Sequence, residues 1–501
     1  MARFTIPVAV LLLSVTIAAV SAAAGDPRLI DAAKKSDAAA VRALVLQHVD
    51  VNTPQPDGAT ALHWAAHWDN LPIADLLLRA GAKADKADDY GVTPLSLACT
   101  NGSAAMIKRL LEAGADPNLA LPTTGETPLM TASRSGNVDA VRALLTRGAT
   151  VDATEPHRHQ TALMWAAAEG HTPVVEALVA AGAKVGAQTT GGFTPLLFSA
   201  RVGNIDTAKS LLAAGAAIDQ ASADGTTPLI IATMRGHIDY ATFLLDHGAN
   251  PNIGPGFTPL HWASGEWPLD YTKDGIGIQA DDDEWTPLGG LRGEARLAFV
   301  KTLVAHGADV NARATASPRQ QVGKGPATRR GSRADALAGA TPFLLATQAS
   351  ALDVMRFLLE KGADPLAKTT RNTTAAMFAA GIFKRPGQAH STAEENLEAL
   401  KLVVSLGNDV NAVNDDGECA LQGPAYLNRT IVAQFLLEKG AKLNLKDKNG
   451  WTPLTVAEGI YNGGVFNQAP DIIELLRKAG AEPSPPGIER DGTAISAAAR
   501  P

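Results

Sequence analysis

The chain has 501 residues, 46% of them apolar, enough for two to four globular domains or one extended array and incompatible with a disordered protein. Its 44 Lys and Arg against 51 Asp and Glu leave a formal charge of −7, which excludes a chain that as a whole coats nucleic acid or an anionic membrane. Two cysteines, Cys99 and Cys419, exclude a disulfide-stapled scaffold, so the core must do the stabilising and both are expected to be buried thiols.

Residues 1–24 carry one early basic residue, Arg3, an apolar run from Val8 to Val20, and small residues with Ala-x-Ala spacing at Ala22 and Ala24. This is the pattern of a secretory signal peptide, and it implies a secreted or periplasmic protein with no membrane attachment after cleavage. An uncleaved anchor is the rival reading, since Ile6 to Ala24 nearly reaches the roughly 20 residues a membrane helix needs. That version would make the protein a membrane-anchored extracytoplasmic sensor.

From residue 25 the chain repeats. Thr60, Thr93, Thr127, Thr161, Thr194 and Thr227 follow one another at intervals of 33, 34, 34, 33 and 33 residues. After each Thr come Pro or Ala and then Leu; about twenty residues on comes an apolar pair followed closely by Gly-Ala, as in LLRAGA, LLEAGA and LLDHGA. The Thr predicts the cap of a short helix whose first turn tolerates Pro, because that position has no N–H partner to lose. A turn such as Ser135-Gly136-Asn137 then leads to a second helix over Val138–Leu145, and Gly148 suits the left-handed residue that ends it. One such unit cannot bury its apolar face alone, so neighbours must stack.

Later units open at Thr258, Thr341, Thr374, Cys419 and Thr452 with irregular spacing. The 83 residues from Thr258 to Thr341 predict two inserted segments. An acidic and aromatic one, 265–294, interrupts a repeat whose remainder is 295–313; a basic flexible one, 314–338, carries Arg319, Lys324, Arg329, Arg330 and Arg333. The alternative, a fresh repeat opening at Thr286, would put Gly289 and Gly290 inside a helix at about 1 kcal/mol each, so the insertion is preferred for 256–313. Smaller insertions are expected at 381–396 and 459–469, and 485–501 has the composition of a disordered tail.

The T-P-L-H opening, the Gly within each unit, L-L-x-x-G-A and the closing D-x-N, as in TPLHWA at 258–263 and HGADVN at 306–311, resemble the ankyrin repeat. The resemblance covers 25–484, with the first unit, lacking T-P-L, as an N-terminal cap. It implies an all-α fold, an ankyrin-repeat solenoid of about eleven helix-turn-helix repeats with projecting β-turn loops, repeats at 25–264 and 339–484, and inserted loops in the later ones. It also implies that His63 and His261 make hydrogen bonds linking neighbouring repeats.

Trp64 stands four residues after its Thr, where Leu97, Trp165, Phe198, Ile231, Trp262 and Leu345 also fall; this set of apolar residues predicts filling between stacked first helices. The i, i+4 pair His63 and His67 has no third or fourth donor within a turn and is not read as a zinc site. In the resembling family, the end of the first helix and the projecting turn line a concave partner-binding face. Carried over by position, helix ends contribute His67, Trp68, Arg134, Glu169, Arg201, Met234 and Arg235. Turn positions one and three before the Thr contribute Tyr90, Glu126, Arg158, Phe193, Phe257 and Trp451. Aromatics and arginines are the side chains enriched at interface hot spots, and a protein partner with acidic and apolar surface would complement them. A set of merely solvated variable residues is the competing reading.

Asp270, Thr272, Asp274, Ile276 and Asp281 partly follow the ligand spacing of a calcium loop, with Gly275 at the sharp turn. Thr in the third place and Asp for the bidentate Glu depart from it, so calcium is the sole candidate cofactor, against a solvated acidic loop. Motifs for a nucleophile elbow, a zinc protease or a phosphate loop are missing from the sequence. The expectation is a monomeric, non-catalytic scaffold that binds a protein partner and no nucleic acid, with a calcium-dependent binding or hydrolytic site in 265–294 as the alternative.

Overall fold

The computed structural model describes residues 26–267, 291, 293–315, 337–384, 391–462 and 465–484. These divide into two compact units, one up to Ala217 and one from Ile218. Each unit is a stack of six helix pairs. First helices pack on the first helices of neighbouring pairs and second helices on second helices, so one pair's apolar face is covered only by the next.

Local chemistry fixes where the helices begin. The hydroxyls of Thr127, Thr161, Thr194, Thr227 and Thr341 each accept the amide N–H three residues on at 3.3 Å. Such a cap is worth about 1 kcal/mol. Second helices are capped by Asn70, Ser103, Asn137 and Asn204. The helix Val138–Thr146 ends as expected: Gly148 has φ 85° and its N–H donates to Leu145 O at 3.1 Å, a conformation in which a Cβ would be strained. The second-helix leucines Leu77, Leu110, Leu144, Leu178 and Leu211 are completely buried. Each contributes roughly 1.5–3 kcal/mol by leaving water.

Two polar devices tie one repeat to the next. In the closing D-x-N, Asn118 Nδ2 donates to Gly148 O at 3.0 Å while its Oδ1 accepts from Thr150 N at 2.8 Å. Asn52, Asn252, Asn311 and Asn411 make the same two-armed bridge. Asn252 spans 55 residues to Gly307 where Asn118 spans 30 to Gly148, so the bridge geometry is kept while extra chain is accommodated elsewhere. The second device is the histidine of T-x-L-H. His63 Nδ1 meets Thr60 N and Oγ1, and Nε2 reaches Val92 O at 3.1 Å.

In the second unit the helix Pro259–Ser264 packs on Pro228–Arg235 and Pro342–Gln348, and the helix Gly293–Ala305 packs on Ile238–Asp246 and Leu352–Glu360. The two act as one pair. Segment 381–396 ends inside the helix Ala393–Ser405, which at 13 residues is longer than the nine-residue second helices. The helical expectation gains one exception. Ile460–Asn462 and Val465–Asn467 form a two-stranded antiparallel hairpin, Ile460 opposite Asn467. Asn-Gly between β-branched and aromatic residues is a hairpin signal that the helical period overshadowed.

Segment 1–24, the loop 270–281, the basic residues from Arg319 to Arg333 and the tail 485–501 lie outside the described residues. No described helix is long and apolar enough to cross a membrane.

Candidate partner-binding surface

Three clusters stand at the ends of first helices in the first unit. In the first, the His67 ring lies 5.7 Å edge-on from Trp64 and 4.6 Å from Trp68. Trp68 is 54% exposed. Trp64 Nε1 donates to Gln55 Oε1 at 3.2 Å and Lys34 Nζ lies 4.9 Å over its ring. The second cluster places the Arg134 guanidinium 4.6 Å over the Trp165 ring, where Glu126 pairs with it at 3.6 Å. The third has Arg201 5.7 Å over Phe198, with the Phe193 ring 5.7 Å from Phe198. Cations over aromatic faces contribute about 0.5–1 kcal/mol at exposed sites. They also keep long side chains on apolar surface that is not otherwise covered.

The offset-four residues are therefore not uniformly core. Trp64, Leu97 and Trp165 are only half-buried, whereas Ile231, Trp262 and Leu345 are buried.

Of the residues expected on the binding face, His67, Trp68, Tyr90, Arg134 and Glu169 are exposed, and Glu126, Arg158, Phe193, Arg201 and Arg235 are half-buried. Arg235 belongs to the second unit. Met234, Phe257 and Trp451 are not available and are corrected. Met234, in the last turn of the helix Pro228–Arg235, is 8% exposed, Trp451 is 8% exposed and Phe257 is completely buried. Phe257 packs against the rings of His261, Trp262 and Trp267.

The turn supplies the reason. The residue between the two turn positions is left-handed, as at Gly91 (φ 80°), Gly256 (φ 121°) and Gly450 (φ 76°), and this breaks the alternation of an extended chain. The residue three before the Thr then faces solvent, as Tyr90 does at 69% exposure, while Phe257 and Trp451, one before their Thr, turn inward.

A turn carboxylate was missed by the sequence. Glu155 is 4% exposed. Burial alone would raise its pKa, but the N–H groups of Gln160, Arg158 and His157 outweigh burial and hold the carboxyl below the usual range. The anion thereby fixes the turn that presents Arg158. Its signal was a Glu three residues before Arg158, in a turn that lacks the Gly standing two before the Thr in most other repeats.

Among the described residues no three His, Cys, Asp or Glu side chains come together as a metal site would require. Both nitrogens of His63 are engaged in the repeat framework. The calcium-loop residues Asp270, Thr272, Asp274, Ile276 and Asp281 lie outside the described residues. Cys99 and Cys419 are free and buried, and burial pushes both thiols up, away from reactive thiolate.

Comparison with known proteins bears on the repeats of both units. The family model described as ankyrin repeats (3 copies) matches residues 29–120, 114–189, 174–255, 196–273 and 389–486, and the single ankyrin repeat model matches 338–370. The RelA-associated inhibitor of Mus musculus is 37% identical over 87 residues, 17% of this chain and 11% of that protein. Zygote-specific protein 3 of Chlamydomonas reinhardtii is 43% identical over 102 residues, 20% of this chain and 27% of that one. Protein phosphatase 1 regulatory subunit 27 of Mus musculus is 33% identical over 96 residues, 19% of this chain and 62% of that one. The chain thus spans less than two thirds of the length of each of these relatives. A solved structure, the human ASB11 ankyrin repeat domain, aligns with a TM-score of 0.41 and 29% identity over 44% of this chain and 98% of that one. With the family model matching well over half of the sequence, on helix pairs whose Thr, His, Gly and Asn do the capping and bridging just described, the chain belongs to the ankyrin-repeat family.

Proposed function

We propose that this protein is a non-catalytic scaffold that binds a protein partner carrying acidic and apolar groups, using the helix ends and turns of its first unit. Ankyrin repeats imply protein partners, and two of the relatives are named as an inhibitor and a regulatory subunit of other proteins. The observation that carries the reading is the set Trp68, Tyr90, Arg134 and Arg201, aromatics and arginines that are exposed or, for Arg201, half-buried at helix ends and turns. An acidic partner is favoured because Arg134 is exposed and Arg201 half-buried, two cations at first-helix ends that a partner's carboxylates can reach.

The test is affinity capture with wild type and with Arg134→Glu and Arg201→Glu combined. Reversing two charges should lower partner recovery by about tenfold or more. Equal recovery of the same partners would refute the role of these arginines.

The proposal includes a secreted or periplasmic monomer, resting on the signal pattern of residues 1–24. Mass spectrometry of protein from its native compartment should find a mature N-terminus near Gly25; a chain retaining Val8–Val20 would instead make it the membrane-held form.

A further inference from the structure

The chain contains the same tryptophan site twice, open in the first unit and filled in the second. TALHWAA at 60–66 and TPLHWAS at 258–264 share one frame: each His accepts at Nδ1 from the N–H of its own Thr. Each reaches a carbonyl of the next repeat at 3.1 Å through Nε2, Val92 in one case and Ala340 in the other. Trp64 and Trp262, the residues after those histidines, therefore leave equivalent backbones. Their surroundings differ.

Trp267 folds back onto Trp262, ring centroids 4.5 Å apart, and its Nε1 donates to Trp262 O at 2.8 Å. Gly265 makes room, since a Cβ there would lie 2.7 Å from the Trp267 ring. Trp262 is left 8% exposed. The arrangement recurs at Phe378, four residues after Thr374: Phe383, again five residues further on, lies 5.9 Å from it, and Phe378 is completely buried. In the first unit the residues five after Trp64 and Trp165 are Asp69 and Gly170, so no aromatic folds back from that position, and Trp64 meets the edge of the His67 ring at 5.7 Å. Both tryptophan rings stay half-buried, under Lys34 and Arg134.

We propose that Trp64 and Trp165 are receiving surfaces for aromatic side chains of a partner peptide, which fill there the role Trp267 fills against Trp262, and that acidic residues flanking those aromatics pair with Lys34 and Arg134. This rests on the reading of the first unit as the partner-binding unit. The internal Trp262–Trp267 pair defines the occupant: an aromatic ring with its centroid 4.5 Å away, tilted by 48°, with its own polar edge served by backbone. Offset aromatic pairs are favourable beyond the area they bury. A lysine or arginine lid, unlike a core side chain, swings aside at little cost. The pairing of Glu126 with Arg134 shows that a carboxylate has a place beside the ring.

The test is fluorine NMR of the full chain labelled with 5-fluorotryptophan, whose seven tryptophans give separate probes. Trp64→Phe and Trp165→Phe assign the two signals of interest. The ligand is the peptide acetyl-Glu-Glu-Trp-Glu-Glu-amide, compared with the same peptide carrying Ala for Trp, and with Lys for Glu. The Trp64 and Trp165 signals should shift saturably at millimolar peptide while those of Trp262 and Trp267 stay in place. The Ala peptide should bind about tenfold or more weakly, the factor that one buried aromatic ring commands. No shift at Trp64 or Trp165, an Ala peptide of equal strength, or equal shifts at Trp262 would overturn the aromatic assignment; an equal response to the Lys peptide would overturn its acidic part. Loss of partner capture by the arginine variants, combined with silence here, would sink this inference and leave the scaffold reading standing.

Discussion

His261→Gln is expected to leave neutral-pH stability within about 1 kcal/mol of wild type and to remove an acid-sensitive step, whereas His261→Ala should cost about 2–4 kcal/mol. His261 is completely buried. Its Nδ1 lies 3.1 Å from Thr258 N and 2.8 Å from Thr258 Oγ1, and Nε2 lies 3.1 Å from Ala340 O. The carbonyl needs a donor, so the proton belongs on Nε2 and Nδ1 accepts. Alanine would strand buried donors and acceptors at both ends. Glutamine would not, and the chain itself shows why: in the repeat opening at Cys419, Gln422 Oε1 accepts from Cys419 N at 3.0 Å and Nε2 donates to Trp451 O at 3.0 Å.

Burial drives the His261 pKa down from 6.5 to about 4, with the Ala340 carbonyl opposing. Between those values the unfolded chain binds more protons than the folded one, so the stability present above pH 6.5 is lost as pH falls toward 4. A displacement of that size corresponds to roughly 3 kcal/mol. Urea melts of wild type and His261→Gln at pH 7.5, 5.5 and 4.5 isolate this residue, since other carboxylates titrate alike in both. Parallel losses in the two proteins would contradict the assignment. His63 is lowered in the same direction by burial, so the first unit carries a similar, smaller acid dependence.

Those two histidines were readable because their role is local: Thr, three residues, then a side chain that can cap backward and bond forward. Gln422 meets the same rule in CALQ, and a search for offset three, instead of for His, would have found it. The Thr caps, the Gly ends of second helices and the D-x-N asparagines were equally legible, because each depends on a few neighbouring residues and recurs. Burial of the tryptophans was not. Trp64 and Trp262 sit in nearly identical heptapeptides, and what separates them is Trp267, contributed by an insertion with no period to read. Phe257 and Trp451 were placed on the surface because positions one and three before the Thr were treated as one face. A single left-handed residue between them sends the two side chains apart. Position in a repeat predicts backbone faithfully. Exposure depends on which side chain happens to lie across from it.

The second large effect has the same sign but lies in the alkaline range and belongs to Lys384, for which the sequence offered no sign. Lys384 is 7% exposed. Its ammonium donates to Ser391 Oγ at 2.6 Å, Ser350 Oγ at 3.3 Å and Asn396 Oδ1 at 3.5 Å, all neutral acceptors. Arg429 NH2 holds Ser391 O at 2.5 Å, so the cluster joins residues from three consecutive repeats of the second unit. Burial lowers the Lys384 pKa from 10.5 to about 8; Glu266 and Glu395 oppose the shift and Arg429 adds to it. Between pH 8 and 10.5 the unfolded chain again binds more protons, so stability should rise with pH across this window, by roughly 3 kcal/mol for the full displacement. Lys384→Met removes the buried charge and with it the rise. A buried charge often contributes little beyond a well-packed apolar residue, so the variant should fold at neutral pH. The measurement is the difference in unfolding free energy between wild type and Lys384→Met at pH 7.5, 9 and 10.5. That difference should move in favour of wild type as pH increases; a constant difference would mean that the ammonium is solvated and that the cluster holds these repeats together without charge.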